Sequence, residues 1–123
     1  MMYGIFVNND GVRYADAIAG GYKTIETRNR NMLRALVGKN VHIVSTSRNR
    51  KPMVIGMVGI VSAEFCPADK FDAYRDQTLI PPGSRFDATT RGKWLYHLTN
   101  PVAIDPYPLP ADAIRHGISW CEF

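Results

Sequence analysis

Gly21-Tyr22-Lys23-Thr24-Ile25-Glu26-Thr27-Arg28 places an ammonium, a carboxylate and a guanidinium within six positions. The Gly20-Gly21 pair before it suits the end of a helix, because glycine accepts the left-handed conformation common after a helix C-terminus. The residues after the pair read as the entry to a strand. Alternate side chains of a strand point to opposite faces. Thr24, Glu26 and Arg28 are therefore expected on one face and Ile25 on the other, apolar one. Lys23 sits in the turn just ahead, where its long stem can swing to either side. A charged row on an element otherwise fit for burial suits a polar cavity and is avoided in a plain core strand.

Outward from this octet, the chain alternates short strands with shorter helical pieces. Residues 3–7 are rich in aromatic and branched side chains and read as a first strand. Asn8, Asn9 and Asp10 then suit the cap of a helix over residues 11–19, with Val12, Ala15, Ile18 and Ala19 as its apolar stripe. A helical turn is expected near residues 31–37, closed by Gly38. Residues 40–47 and 53–65 form two further strands joined by the basic tip Ser47-Arg48-Asn49-Arg50-Lys51. Gly56 and Gly59 suggest bends or bulges in the second of these. A second helix is expected over residues 67–76 and a surface loop over 78–90, marked by Pro81-Pro82-Gly83. Residues 92–100 and 102–105 continue as strand, after which Pro106, Pro108 and Pro110 are expected to forbid regular pairing. Residues 118–123 read as a last edge strand. Five or six mostly hairpin-connected strands with two or three flanking helices predict an α+β fold, built on a small, curved, mostly antiparallel β-barrel.

At 123 residues with 46% apolar content the chain is expected to be one domain, residues 1–123, with an ordinary core. No stretch is long and apolar enough for a membrane span, and no signal peptide is read, so a cytoplasmic location is expected. Cys66 and Cys121 read as two reduced thiols, although the sequence leaves a disulfide open. His42, His97 and His116 share no ligand spacing with cysteines or carboxylates, so neither a metal nor a cofactor is expected. Charge is unevenly distributed. Between Lys23 and Lys51, eight cations stand against Glu26 alone, a net +7 that leaves −3 for the remainder of the +4 chain. This asymmetry favours an anionic partner, with nucleic acid leading by size and sign. Arg48, Arg50 and Lys51 suit phosphate contact, Asn49 a base edge, and Arg30 extends the basic run. Tyr22 is the stacking candidate, whereas Trp94 and Tyr96 on an alternating strand belong to the core. Glu64 is the candidate second carboxylate beside Glu26; Asp76 and Asp87 read as exposed.

The pattern Gly21-x-Lys23-x-x-Glu26-x-Arg28 resembles the signature of the ASCH domain, a branch of the PUA-like β-barrel superfamily. The longer string from Gly21 to Arg30 is similar to that of EOLA-like ASCH proteins, which carry a Lys-Thr-Val-Glu-Thr-Arg run there. The stretch Leu95-Tyr96-His97-Leu98-Thr99-Asn100-Pro101, followed by Pro106 and Pro108, is similar to the closing strand of that family. The resemblance implies an RNA-related domain with a cleft beside the barrel, where the signature residues face a nucleotide. The superfamily also includes N4-acetylcytidine amidohydrolases and ribonucleases. In those amidohydrolases a Lys-Thr-x-Thr-x-Arg motif supplies a lysine and a nucleophilic threonine, joined by a later glutamate. Lys23 matches the lysine; the second threonine position is Glu26 here.

The sequence supports three readings. The first is an RNA- or nucleotide-binding module holding a base, modified or not, in a cleft lined by Lys23, Glu26 and Arg28. Tyr22, Thr24, Arg30 and the tip residues 48–51 would complete its nucleic-acid surface. The second is a small hydrolase acting on a modified nucleoside, of the N4-acylcytidine amidohydrolase kind, or on RNA, with Lys23, Glu26 and Glu64 as its catalytic groups. The third is a protein-interaction domain whose basic face meets an acidic protein partner.

Overall fold

Two long apolar runs organise the molecule. Residues 53–66 and 93–108 pair antiparallel along most of their length, as strands β4 (Met53–Cys66) and β5 (Lys93–Pro108). The structure, a computed structural model, describes residues 1–123. Around this pair stand β1 (Tyr3–Asn8), β2 (Ile25–Arg28), β3 (Asn40–Thr46), β6 (Ile114–His116) and β7 (Trp120–Glu122). All seven strands form one sheet in the order β2-β5-β4-β3-β1-β7-β6. Only β1 and β3 run parallel; every other pairing is antiparallel. Two short helices, α1 (Tyr14–Ala19) and α2 (Arg75–Thr78), and 3-10 turns at Arg34–Leu36 and Ala68–Tyr74 lie in the connections.

The curvature comes from bulges in the β4–β5 ladder, between Val54 and Gly56, Met57 and Gly59, and Ile60 and Ser62. Bulges strengthen local twist and bend the strand. Gly56 is required there, since a Cβ would come within 2.6 Å of the Val102 carbonyl oxygen. The sheet therefore curls as the sequence predicts, but its two end strands, β2 and β6, share no ladder. The curled sheet stays open along one seam. In the main core Ile5, Ile18, Ile25, Leu33, Ile43 and Leu95 are fully buried.

Several expectations need correction. Helix α1 begins at Tyr14, leaving Val12 exposed. Gly11, at φ +67°, turns the chain first, and Asp10 caps no helix. Its carboxylate accepts the Arg48 backbone N–H of the basic tip at 3.0 Å, while Asn9 Oδ1 accepts the Asp16 N–H at 3.4 Å. The helix expected over residues 67–76 is a 3-10 turn that becomes α-helical only at Arg75. Prolines do not end β5: Tyr107 pairs with Val54 and Pro108 with Met53. They are tolerated because β2 covers only Trp94–His97, so the far side of β5 is a bare edge beyond that point. The C-terminal strand lies inside the sheet, between β1 and the unforeseen β6.

Entry into β5 depends on Gly92, which has φ +81°; a Cβ there would run into the Cys66 carbonyl oxygen. Gly92→Ala is expected to lower the unfolding free energy by about 1–3 kcal/mol, through strain and the lost close approach. Urea denaturation checks this; a change within about 0.5 kcal/mol, the range of ordinary surface substitutions, would contradict it.

Candidate functional site

The open seam is a cleft of about 510 Å³. Its walls come from β1, β2, the start of β5, the residue 79–92 loop and the β6–β7 turn. The octet supplies the floor. Ile25 points into the core with no exposed surface, as strand alternation requires, and Glu26 is buried on the cleft side. Glu26 is thoroughly engaged: Oε1 accepts the Thr27 N–H at 3.1 Å and faces Lys23 Nζ at 3.6 Å, while Oε2 accepts Arg28 Nη2 at 3.0 Å. Lys23, 2% exposed, also donates to the Thr78 carbonyl oxygen at 2.5 Å. Its ammonium lies 5.0 Å from the centre of the Tyr14 ring.

Arg28 does more than pair with Glu26. Its Nη2 donates to the Phe6 carbonyl oxygen at 2.6 Å, and Nη1 reaches the Ser119 carbonyl oxygen at 3.5 Å. Strand β2 lies at one end of the sheet order, while β1 lies three strands beyond β5. One guanidinium thus spans the seam that backbone pairing leaves open. Charge-assisted bonds of this kind are each worth about 1.5–3 kcal/mol.

Burial sets the ionisation of the site. It would raise the Glu26 carboxyl, but Arg28, Lys23 and the bonds from Arg28 and Thr27 outweigh it, so the group stays below the ordinary carboxylate range. Burial lowers Lys23, and Glu26 only partly offsets it. The site therefore holds a firmly ionised carboxylate beside an ammonium that gives up its proton more readily than a surface lysine.

Of the residues singled out from sequence, Lys23, Glu26 and Arg28 converge in the cleft. Thr24 is exposed, outside the lining, and Tyr22 is 76% exposed with its ring beside Gly20. Arg30 is exposed and also outside. Arg48, Arg50 and Lys51 border a second groove of about 500 Å³, which Asp10 and Arg13 help to line; Asn49, at φ 61°, forms the hairpin tip. Glu64 is half exposed on β4, pairs with His97 Nε2 at 2.7 Å and is absent from the cleft. The second-carboxylate role is therefore not assembled around Glu64. Cys66 and Cys121 are both free and buried. No three His, Cys, Asp or Glu side chains form a metal-holding group, and no helix is long and apolar enough to cross a membrane.

Sequence reading missed much of the wall. Tyr14, Arg85, Phe86, Lys93 and Arg115 all line the cleft. Tyr14 meets the Phe86 ring edge-on, with centroids 5.6 Å apart. The loop carrying Arg85 and Phe86 is organised by Asp87, whose carboxylate accepts Arg75 Nη1 and the Gly83 N–H, each at 2.7 Å, and the Ala88 N–H at 2.8 Å. A Pro-Gly signal marks a loop but does not reveal that its carboxylate folds it back over a cleft.

No protein-family model matches the sequence, and no curated protein does. Among solved structures, ASCH of Zymomonas mobilis matches at TM-score 0.69, with 20% identity over 88% of this chain and 73% of that one. A serine-to-alanine variant of it matches at TM-score 0.71 and 23% identity, over 87% of this chain and 73% of the other. A tyrosine-to-phenylalanine variant gives 0.71 and 23%, over 88% and 76%. The chain therefore has the ASCH fold.

Removing Arg28 leaves Glu26 buried without its main partner. Arg28→Met is expected to cost about 3–5 kcal/mol at pH 7, and Arg28→Met/Glu26→Gln less than the single change. Chemical denaturation checks this; a double variant as unstable as Arg28→Met, or more so, would contradict it. Both Glu26 and Asp87 titrate lower in the folded than in the unfolded chain. Their stabilisation is full above the unfolded values and is lost as pH falls through the folded ones. For Asp87 that window runs from 3.8 to about 2, set by the Arg75 hydrogen bond. Asp87→Asn should accordingly shrink the stability lost between pH 4 and pH 2, measured by urea unfolding; an unchanged acid limb would contradict the assignment.

Proposed function

We propose that the chain binds RNA or a nucleotide, holding a base, modified or not, in the cleft floored by Lys23, Glu26 and Arg28. One observation carries this reading: five cationic side chains, Lys23, Arg28, Arg85, Lys93 and Arg115, converge with Glu26 as the sole carboxylate on a cleft of about 510 Å³. That size falls within the range of small-molecule sites, and the charge asks for an anion. The rings of Phe6, Tyr14 and Phe86 make part of the lining apolar, as the sites of small molecules with a flat ring usually are. The ASCH fold is compatible with this reading; the ligand is argued from the cleft.

Binding is favoured over catalysis by the state of Glu26. A general base works best with a pKa near the working pH. Glu26 is held the other way by Arg28 and Lys23, and both of its oxygens already accept hydrogen bonds, from Thr27 and Arg28. A hydrolase reading, on an acylated cytidine or on RNA, retains one supporting observation: the buried, lowered Lys23 beside that carboxylate. In that reading Lys23 polarises the carbonyl and Glu26 orients it. Turnover of N4-acetylcytidine that is lost in Lys23→Ala would favour it.

The binding reading predicts that a short single-stranded RNA, followed by fluorescence anisotropy, loses affinity steeply between about 50 and 200 mM salt. Lys23→Met should weaken binding several-fold or more, because the cleft loses a positive charge and Glu26 loses part of its counter-charge. Affinity indifferent to salt, or unchanged in Lys23→Met, would overturn the assignment.

A further inference from the structure

Lys93 is 4% exposed and opens β5 directly after Gly92. Its ammonium makes no side-chain hydrogen bond and no ion pair, in contrast to Lys23, which has both. The two carboxylates that influence it, Glu26 and Asp87, are committed elsewhere. Glu26 serves Arg28, Lys23 and the Thr27 N–H, and Asp87 serves Arg75 and two loop N–H groups. No buried side-chain nitrogen is sealed away without a partner, so the Lys93 ammonium retains surface, and that surface faces the cleft. Burial pushes its pKa down, and the distant Glu26 and Asp87 carboxylates only partly offset it. A nine-tenths buried cation with no partner in the protein is costly unless something else supplies the negative charge.

Two exposed arginines line the same cleft. Arg85, on the residue 79–92 loop, lies over the Phe86 ring at 4.5 Å, and Arg115, on β6, over the Phe6 ring at 5.2 Å. A guanidinium stacked by its face keeps its N–H edge free for an anion. A single ligand carboxylate would answer one of these three cations. A phosphoryl group brings three acceptor oxygens and a charge approaching −2.

We propose that Lys93, flanked by Arg85 and Arg115, forms a subsite for a phosphoryl group of the ligand. The ligand class is then a phosphorylated nucleotide or an RNA backbone rather than a free base or nucleoside. The inference rests on the nucleotide reading of the cleft for the rest of the ligand, and on Lys93 itself for the anion.

Thermal unfolding at constant ionic strength tests it, with inorganic phosphate, cytidine, cytidine 5′-monophosphate and a five-nucleotide RNA as probes. Phosphate and the monophosphate should raise the wild-type Tm, and cytidine should not, since only a ligand that binds the folded state shifts it. Lys93→Met should abolish the phosphate shift while unfolding, without phosphate, at the wild-type temperature or above. Arg115→Ala, on the exposed rim, should weaken phosphate binding several-fold with an unchanged Tm. A larger effect of RNA than of the monophosphate assigns the subsite to a backbone phosphate; equal effects assign it to a mononucleotide. Equal phosphate stabilisation in wild type and both variants would overturn the subsite. RNA binding undiminished in Lys93→Met would also overturn it, while leaving the cleft reading intact. A Lys93-dependent phosphate shift with no RNA or nucleotide binding would support the subsite and overturn the nucleotide reading.

Discussion

Arg28 holds the ends of the curled sheet together where backbone pairing does not. It leaves β2 as the last residue of that strand and reaches carbonyl oxygens of Phe6 in β1 and Ser119 before β7. A fully closed barrel would remove this need and the seam with it. Because closure is by a side chain, the gap remains as a cleft, and the groups that close it also line it. Glu26 is the counter-charge that makes a half-buried guanidinium tolerable, and Lys23 balances the second oxygen of that carboxylate. Structure and candidate chemistry are thus the same three residues, so disturbing one is expected to disturb both.

The cleft's charge has two parts of different character. Lys23 and Arg28 are internally neutralised in part by Glu26, through contacts that fix their positions. Lys93, Arg85 and Arg115 have no carboxylate within ion-pair reach. Fixed groups suit orientation and discrimination, where geometry matters. Unmatched cations suit attraction of an anion, where charge and reach suffice. A ligand with a flat polar part and a phosphate meets both halves, which is why a nucleotide accounts for the lining better than an acidic protein surface.

The octet was legible because strand alternation and the glycine pair are local rules, and they place Ile25 inward and Glu26 and Arg28 in the cleft. They fail for Thr24, which lies before the first paired residue, where alternation has no hold. The hairpin of β3 and β4 and the bulging glycines were readable for the same local reason. Pro106 and Pro108 misled because their cost depends on whether a neighbouring strand needs the missing N–H, and that is a matter of sheet order. Linear charge misled more. The basic segment from Lys23 to Lys51 is divided between two grooves and open surface, while three of the cleft's five cations come from the remainder of the chain, which carries a net negative charge. Lys93 could not be found from sequence, since its burial beside carboxylates that are already committed to other partners is a fact of three-dimensional packing alone.

On the proposed reading the seam, and not the basic hairpin tip, receives the ligand. Amide and guanidinium NMR shifts of the wild-type protein, monitored while a short single-stranded RNA is added, address it most directly. Saturable changes are expected at the Thr27, Lys93 and Ser119 amides and at the Arg28 guanidinium, with smaller ones at residues 48–51. Changes confined to residues 48–51, with the seam silent at saturation, would contradict it.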